Sequence, residues 1–436
     1  MNSIRKTRNP FLLFSPFLLL YLVFALLMYT TVFIGDETRF LAYTNNLLNG
    51  FYSPASPNVD LLSGPGYPII LIPFVALHLP KICIVLLNVL MHYLSVVFLF
   101  KTIRQFASFR KSLVISLFWA CYYVAYQNMV RIAYEPLTIF LITLLIFCLV
   151  KAFDQRPVKE SRNYIILSGF VFGYIALTKV IFAPVILIMV VGCGLLWFIN
   201  RKILNYKKAV LIMLIAFTTF VPYVIYTYNL TGRVFYLGTG ADNLYWMTTP
   251  YEDEYGDWKG TLTINPVDNG NYNIPGAGDT LVAHHQKDYD EAYKFTGVEK
   301  DDAFKKMAIN NIRSHPAKYA QNIFFNIGRI VFHYPFSYAV QRPKPLYVMP
   351  MNGIIVTFML ICLIPTLINW RRTSFAVRLS LFIILLYLGG SSVASAETRM
   401  FTIVVPMLLV WFAYVIQKSV KVNLKFNNND REGSGS

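Results

Sequence analysis

The sequence predicts an all-α polytopic membrane protein with about 10 transmembrane helices, outer-face juxtamembrane helices and one mixed extracytoplasmic loop region. Three observations carry that expectation. Apolar runs of roughly 18–25 residues recur along most of the chain, the length a helix needs to cross a bilayer core of about 30 Å. Hydrophobic residues make up 56% of the chain and charged residues 14%, and mean hydropathy is +0.50, outside the range of soluble domains. The runs also lack the polar–apolar alternation of outer-membrane strands.

Taken in order, Arg5, Lys6 and Arg8 precede a first apolar run at 11–33. It is too long for a signal-peptide core and has no small-residue cleavage site, so it is expected to remain as an anchor. Further spans are expected near 82–100, 112–129, 136–152, 162–178, 181–199, 208–229, 347–369, 375–394 and 400–417. The stretch 67–79 is apolar but short and carries Pro68 and Pro73, which suits an interfacial or re-entrant element.

Charge tests that choice. If 67–79 does not cross, the N-terminus shares one side with five basic clusters, those around Lys101, Lys151, Arg201, Arg371 and Lys418. The other side's short segments then hold only Arg39, Lys81, Arg131, Lys179 and Arg399. The positive-inside rule therefore favours both termini cytoplasmic. With that topology Asp36, Glu37, Asp60, Glu135 and Glu397 all lie outside. Single carboxylates at helix–water junctions each have an Arg within four residues: Asp36/Arg39, Arg131/Glu135 and Glu397/Arg399.

The expected organisation is an N-terminal transmembrane catalytic module, 1–229, with an outer loop at 34–81. An extracytoplasmic region follows at 230–346, expected to serve the acceptor, then C-terminal transmembrane helices at 347–425. Residues 426–436 read as a disordered tail with a Gly-Ser-Gly-Ser cloning scar. Within 230–346, turn-formers and aromatics dominate the first half. The second half shows helix-period apolar residues at Phe304, Met307, Ala308 and Ile312, then Tyr319, Ile323, Phe324 and Ile327. Pro316 splits them into two amphipathic helices, the second expected to lie on the membrane surface.

Several function classes fall away. The formal charge of +17 is scattered among short loops rather than gathered in a patch, so no nucleic-acid partner is expected. The five cysteines sit in apolar runs without metal or disulfide spacing. No Gly-rich phosphate cradle and no Ser/His/Asp spacing is present.

The adjacent acids Asp36 and Glu37 after the first helix, then SGPGYP (63–68) leading a short apolar helix, resemble the GT-C membrane glycosyltransferases. The branch is that of protein O-mannosyltransferases and of the aminoarabinose transferases acting on lipid A. Glu135 opens the second outer loop where that branch carries another acid. GYIALTKVIFAP (173–184) and ETRMFTIVVP (397–406) resemble two further signatures. The chain departs from the branch in its Gly-Pro-Gly-Tyr-Pro element and in having fewer spans than the larger members.

The resemblance implies transfer of a sugar from a polyprenyl-phosphate donor to a lipid, glycan or protein acceptor, outside a bacterial inner membrane. It assigns the base to Asp36, with Glu37 and Glu135 in the same site. A carboxylate within hydrogen-bond reach can take the proton of the attacking hydroxyl. A phosphate leaving group needs fixed positive charge, for which Lys179, Arg131 and Arg399 are the candidates, with Glu397 and Tyr67 in support. Each has an ordinary alternative. Lys179 could snorkel, and Arg131 and Arg399 could simply pair with Glu135 and Glu397. No cofactor is assigned: Asp36, Glu135 and Glu397 could converge on a divalent cation, with help from His78, His284, His285, His315 or His333. The neighbours His284 and His285 are expected to be exposed and to point apart. Rival readings are a ligase or polymerase using a diphosphate-linked donor, a secondary transporter, for which no paired half-repeats are visible, and a non-catalytic subunit.

Overall fold

The computed structural model describes residues 9–153, 158–234, 236, 238, 240–257, 276–338, 343–394 and 397–419. The N-terminal basic residues, Asp154, Arg156, the loop stretch 258–275 and the expected tail lie outside the described residues. Among these, all regular structure is helical. The first apolar run contains α1 (Pro10–Leu13) and α2 (Ser15–Leu27), followed by α3 (Glu37–Leu48) and α4 (Gly66–Ala76). Then come α5 (Lys81–Ile103), α6 (Phe109–Ala120), α7 (Glu135–Ala152), α8 (Val158–Thr178), α9 (Phe182–Ile199) and α10 (Leu204–Thr231). The long loop holds α11 (Gly240–Met247), α12 (Ala277–Ala292), α13 (Gly297–Ser314) and α14 (Pro316–Phe332). Three helices close the chain: α15 (Pro343–Ile368), α16 (Phe375–Ser392) and α17 (Thr398–Ser419).

Seven of these (α5, α7, α9, α10, α15, α16 and α17) are long and apolar enough to cross a bilayer. The chain is a polytopic helical membrane protein. Three expected spans differ in detail. The first is interrupted at Phe14, because Pro16 has no N–H to give the Leu12 carbonyl. The Ser15 hydroxyl donates to that oxygen instead, at 2.9 Å. The third stops at Ala120, where the Tyr21 hydroxyl donates to the Ala120 carbonyl at 2.7 Å and Tyr126 donates to the same oxygen. Residues Tyr123–Asn128 then form a tight 3-10 turn. The fifth, α8, has the length but begins VKESR.

Helix–helix contact relies on small residues where backbones approach. On α8, Gly169 and Gly173 face α10. A Cβ on Gly173 would stand 2.5 Å from the Ala216 carbonyl, and one on Gly169 2.6 Å from Ile215. Deeper in the bundle Phe182 stacks on Tyr387, with centroids 4.3 Å apart.

The contacts sort the helix ends into two groups. At one end Phe106 meets Tyr414 (5.7 Å) and Phe153 meets Phe375 (4.7 Å). There Lys208 Nζ donates to the Ala152 carbonyl (2.8 Å) and Lys111 Nζ to that of Ile416 (3.4 Å). These residues flank the basic clusters that the sequence puts on one side. At the opposite end Lys81, which opens α5, pairs with Glu37, and the Gly66 carbonyl accepts from Tyr174 near the end of α8. Both flanks of α4 therefore meet the same end of the bundle, so the 67–79 segment does not cross.

The long loop builds a small core of its own from Tyr245, Trp246, Leu281, Tyr289, Ala292, Phe304 and Ala308. Pro316 opens α14 directly after α13 ends, as its fixed φ favours. On α14 the polar face is the buried one: Lys318, Asn322, Asn326 and Arg329 point inward. Phe324 and Ile327 are exposed. An apolar face turned outward beside a buried polar face suits a helix lying in the lipid interface.

Candidate active site

The positive φ of Gly35 (61°), which costs glycine little, turns the chain into α3 and sets Asp36 at its N-cap position. Arg39, one turn on, donates to Asp36 Oδ1 at 2.9 Å. Arg399, in the first turn of α17, then gathers three carboxylates. Its Nη1 lies 3.4 Å from Asp36 Oδ2 and 3.3 Å from Glu135 Oε1. Its Nε lies 3.2 Å from Glu397 Oε2. The starts of α3, α7 and α17 are thus tied together by one guanidinium. Where Asp36, Glu135 and Glu397 could have shared a divalent cation, the protein's own Arg399 stands.

All of these groups but Glu135 border a cavity of about 460 Å3. Asp36, Arg39, Ser63, Gly64, Tyr134, Thr178, Lys179, Glu397 and Arg399 line it, joined by Gly240 and Asn243 from α11. Lys179 is buried; its Nζ donates to the Tyr134 hydroxyl at 3.2 Å and lies over that ring at 4.8 Å. Burial by itself lowers the pKa of this ammonium, and Tyr134 and Tyr387 outweigh it, so Lys179 stays above the usual lysine range. Arg399 also faces the Tyr134 ring, at 5.9 Å. Tyr134 therefore stands against both cations and orders them.

The SGPGYP element forms a wall of the cavity. A Cβ on Gly64 would overlap the Leu177 carbonyl, and one on Gly66 would lie 2.5 Å from Thr178 Oγ1. Without glycine at both positions the loop could not close on the end of α8 beside Lys179. Tyr67 is buried behind this wall, edge-on to Phe40 at 5.1 Å.

Two expected site residues lie elsewhere. Glu37 is buried away from the cavity. Its Oε2 accepts from Lys81 Nζ (2.8 Å) and the Ile34 amide (2.7 Å), and its Oε1 accepts from the Ile132 amide (2.8 Å). Adjacent helix positions diverge by about 100°, and this step turns Glu37 away from the cavity that Asp36 lines and towards Lys81. Arg131 is exposed and absent from the lining. Asn88 instead takes its backbone carbonyl at 2.7 Å, turning this segment away. Glu135 stands behind Arg399 rather than on the cavity surface. Arg39, Tyr134 and Asn243 were missed as site residues. For Arg39 the signal was present, in its i,i+3 spacing from Asp36.

The expectation for His284 and His285 is also corrected. His285 is buried, and both rings reach the carboxylate of Glu254. One ring uses Nδ1 and the other Nε2, which makes up for the divergence of neighbouring helix positions.

Sequence comparison finds a family model that matches part of the chain. Residues 64–226 match the family model described as dolichyl-phosphate-mannose-protein mannosyltransferase. The segment is one on which the resemblance to the GT-C branch rests in part. It takes in Gly64, Tyr134, Glu135 and Lys179, and leaves Asp36 and Arg399 outside. No curated protein sequence matches the chain. Among solved structures, ArnT from Cupriavidus metallidurans bound to undecaprenyl phosphate is similar at a TM-score of 0.40 and 11% identity, over 92% of this chain and 76% of that one. Its apo form gives 0.38 and 10%, over 92% and 77%.

Proposed function

We propose that the protein is a membrane glycosyltransferase. It moves a sugar from a polyprenyl-phosphate donor to an acceptor hydroxyl at the extracytoplasmic end of the bundle. The observation that carries this reading is the cavity in which Asp36 faces a wall of Lys179, Arg39 and Arg399. In this reading the donor phosphate takes up those cations, which supply charge stabilisation where negative charge develops on the leaving oxygen. As the phosphate draws the two arginines to itself, Asp36 is freed to accept a proton. The acceptor oxygen attacks the anomeric carbon, its proton passes to Asp36, and the bond from that carbon to the phosphate oxygen breaks. Polyprenyl phosphate leaves with the electron pair.

The remaining residues take supporting roles in the same reading. Glu135 and Glu397 position Arg399, and Glu37 with Lys81 anchors the loop that presents Asp36. Tyr67 packs the wall. The acceptor, whether lipid, glycan or protein, reaches the cavity past α11 and the 230–346 region. The membrane is the bacterial inner membrane, with both termini cytoplasmic.

The test is purified protein in proteoliposomes given sugar-labelled polyprenyl monophosphate, and separately the diphosphate-linked sugar. Release of polyprenyl phosphate with transfer of the label supports the reading. Turnover of the diphosphate donor alone contradicts it in favour of a ligase or polymerase. Uptake of free sugar without transfer contradicts it in favour of a transporter.

A further inference from the structure

We propose that Glu254, His284 and His285 form a binding site for a divalent transition-metal ion of the zinc type. The site lies in the long loop, separate from the candidate active site. His284 Nδ1 lies 3.0 Å from Glu254 Oε1, and His285 Nε2 lies 2.9 Å from each Glu254 oxygen. One donor atom from each residue falls within 4.8 Å of the others. Two imidazole nitrogens and a carboxylate suit zinc, with bonds of about 2.0–2.2 Å. At a tetrahedral angle such ligands stand about 3.4 Å apart, so the imidazole–carboxylate gaps would open by about half an ångström while the donors, spread over 4.8 Å, would draw together around the ion. Bulk water reaches the partly exposed His284, which leaves a fourth position for water.

The hydrogen bonds around His285 fix which of its nitrogens faces the site. A carboxylate only accepts, so the Tyr245 hydroxyl donates to Asp288 Oδ2, at 2.7 Å. The Tyr245 oxygen must then accept from His285 Nδ1, at 2.8 Å. With Nδ1 protonated, Nε2 faces two carboxylate oxygens, His285 and Glu254 both being buried: it either carries a second proton, as an imidazolium paired with Glu254, or gives its lone pair to a metal ion. Acceptor facing acceptor in a dry setting is unfavourable unless a proton or a metal ion lies between them. A ring N–H held by a second acceptor while the other nitrogen stays free is also how metal-bound histidines are oriented.

The rest of the shell is fixed in place. Thr249 donates to Glu254 Oε2 and Tyr338 to Oε1 at 3.0 Å, and Tyr251 stacks on His284 at 3.6 Å. The ion would staple the 248–257 segment to α12. His285 packs against Trp246 of α11, with centroids 4.4 Å apart. The staple therefore steadies the helix whose Gly240 and Asn243 face the cavity.

The experiment uses the full-length protein in detergent, stripped with a chelator and then loaded with Zn2+ or Co2+. One ion per chain retained through gel filtration is expected, with the visible absorption of tetrahedral Co2+ and a rise in Tm on adding zinc. Glu254→Gln and His284→Gln should each weaken retention about 100-fold or more, since even outer-shell changes cost 10–100-fold. His284 is partly exposed, so its variant decides the matter if Glu254→Gln does not fold. The proposal is overturned if the wild type retains no ion. It is equally overturned if His284→Gln retains it fully, which would place the ion elsewhere, as at Asp36, Glu135 and Glu397.

Discussion

Asp36 and Arg399 are 363 positions apart in the chain, and their side chains stand 3.4 Å from each other. The same guanidinium holds Glu135 and Glu397, so it neutralises charge that would otherwise repel across the mouth of the cavity. Replacement by Gln leaves three carboxylates facing one another. Arg399→Gln should lower stability by about 2 kcal/mol, less than a fully buried pair would lose because the arginine is one-third exposed. Transfer should fall far more than this loss of folded protein explains. Calorimetry and the transfer assay, run side by side, check the two effects.

The pair formed by Glu37 and Lys81 belongs to the fold. Glu37→Leu strips a partner from Lys81 and from the amides of Ile34 and Ile132, and should cost about 3–5 kcal/mol. Activity per folded molecule should fall far less than in Asp36→Asn, because Glu37 anchors the loop without facing the cavity. A stable Glu37 variant that binds donor normally yet cannot turn over would return Glu37 to the chemistry.

Gly64→Ala should destabilise the protein by about 1–3 kcal/mol, the usual cost of forcing extra atoms into packed space, because its Cβ meets the Leu177 carbonyl. The displaced wall also carries Thr178 and Lys179, so KM for donor should rise. Thermal unfolding and donor titration read the two effects.

Asp301 supplies a pH dependence outside the membrane. Burial, offset in part by the Tyr236 hydrogen bond, raises its carboxyl from 3.8 to about 6. A raised folded-state value means that the folded protein binds the proton more tightly. Its contribution is fully present below pH 3.8 and is lost as pH rises to about 6, of the order of 2–3 kcal/mol in all. Asp301→Asn should flatten the change in Tm between pH 4 and 7 and raise Tm at pH 7.

Much of the bundle was legible because a bilayer imposes one helix length and one charge rule. The basic clusters around Lys111 and Lys208 do share an end, and both flanks of 67–79 meet the other. The convergence of Asp36, Glu135 and Glu397 followed from that parity. What failed was direction around a helix axis. Adjacency made Asp36 and Glu37 look like a pair, whereas one helical step sends Glu37 into the interior. The same step made His284 and His285 look divergent, because nothing local announces that Glu254 will arrive between them. Arg131 was placed as one of the few basic residues on the outer side, yet the Asn88 hydrogen bond to its carbonyl accompanies a side chain that faces outward. Asn243 could not be read at all, since only the packing of α11 over the cavity brings it there.

The most direct test is the rate of sugar transfer from polyprenyl monophosphate by Asp36→Asn, measured with donor affinity on the same reconstituted sample. A base held in place contributes about 100- to 10,000-fold, so the rate should fall by that much, with donor binding and Tm close to wild type. Transfer by Asp36→Asn within a few-fold of wild type would contradict the account.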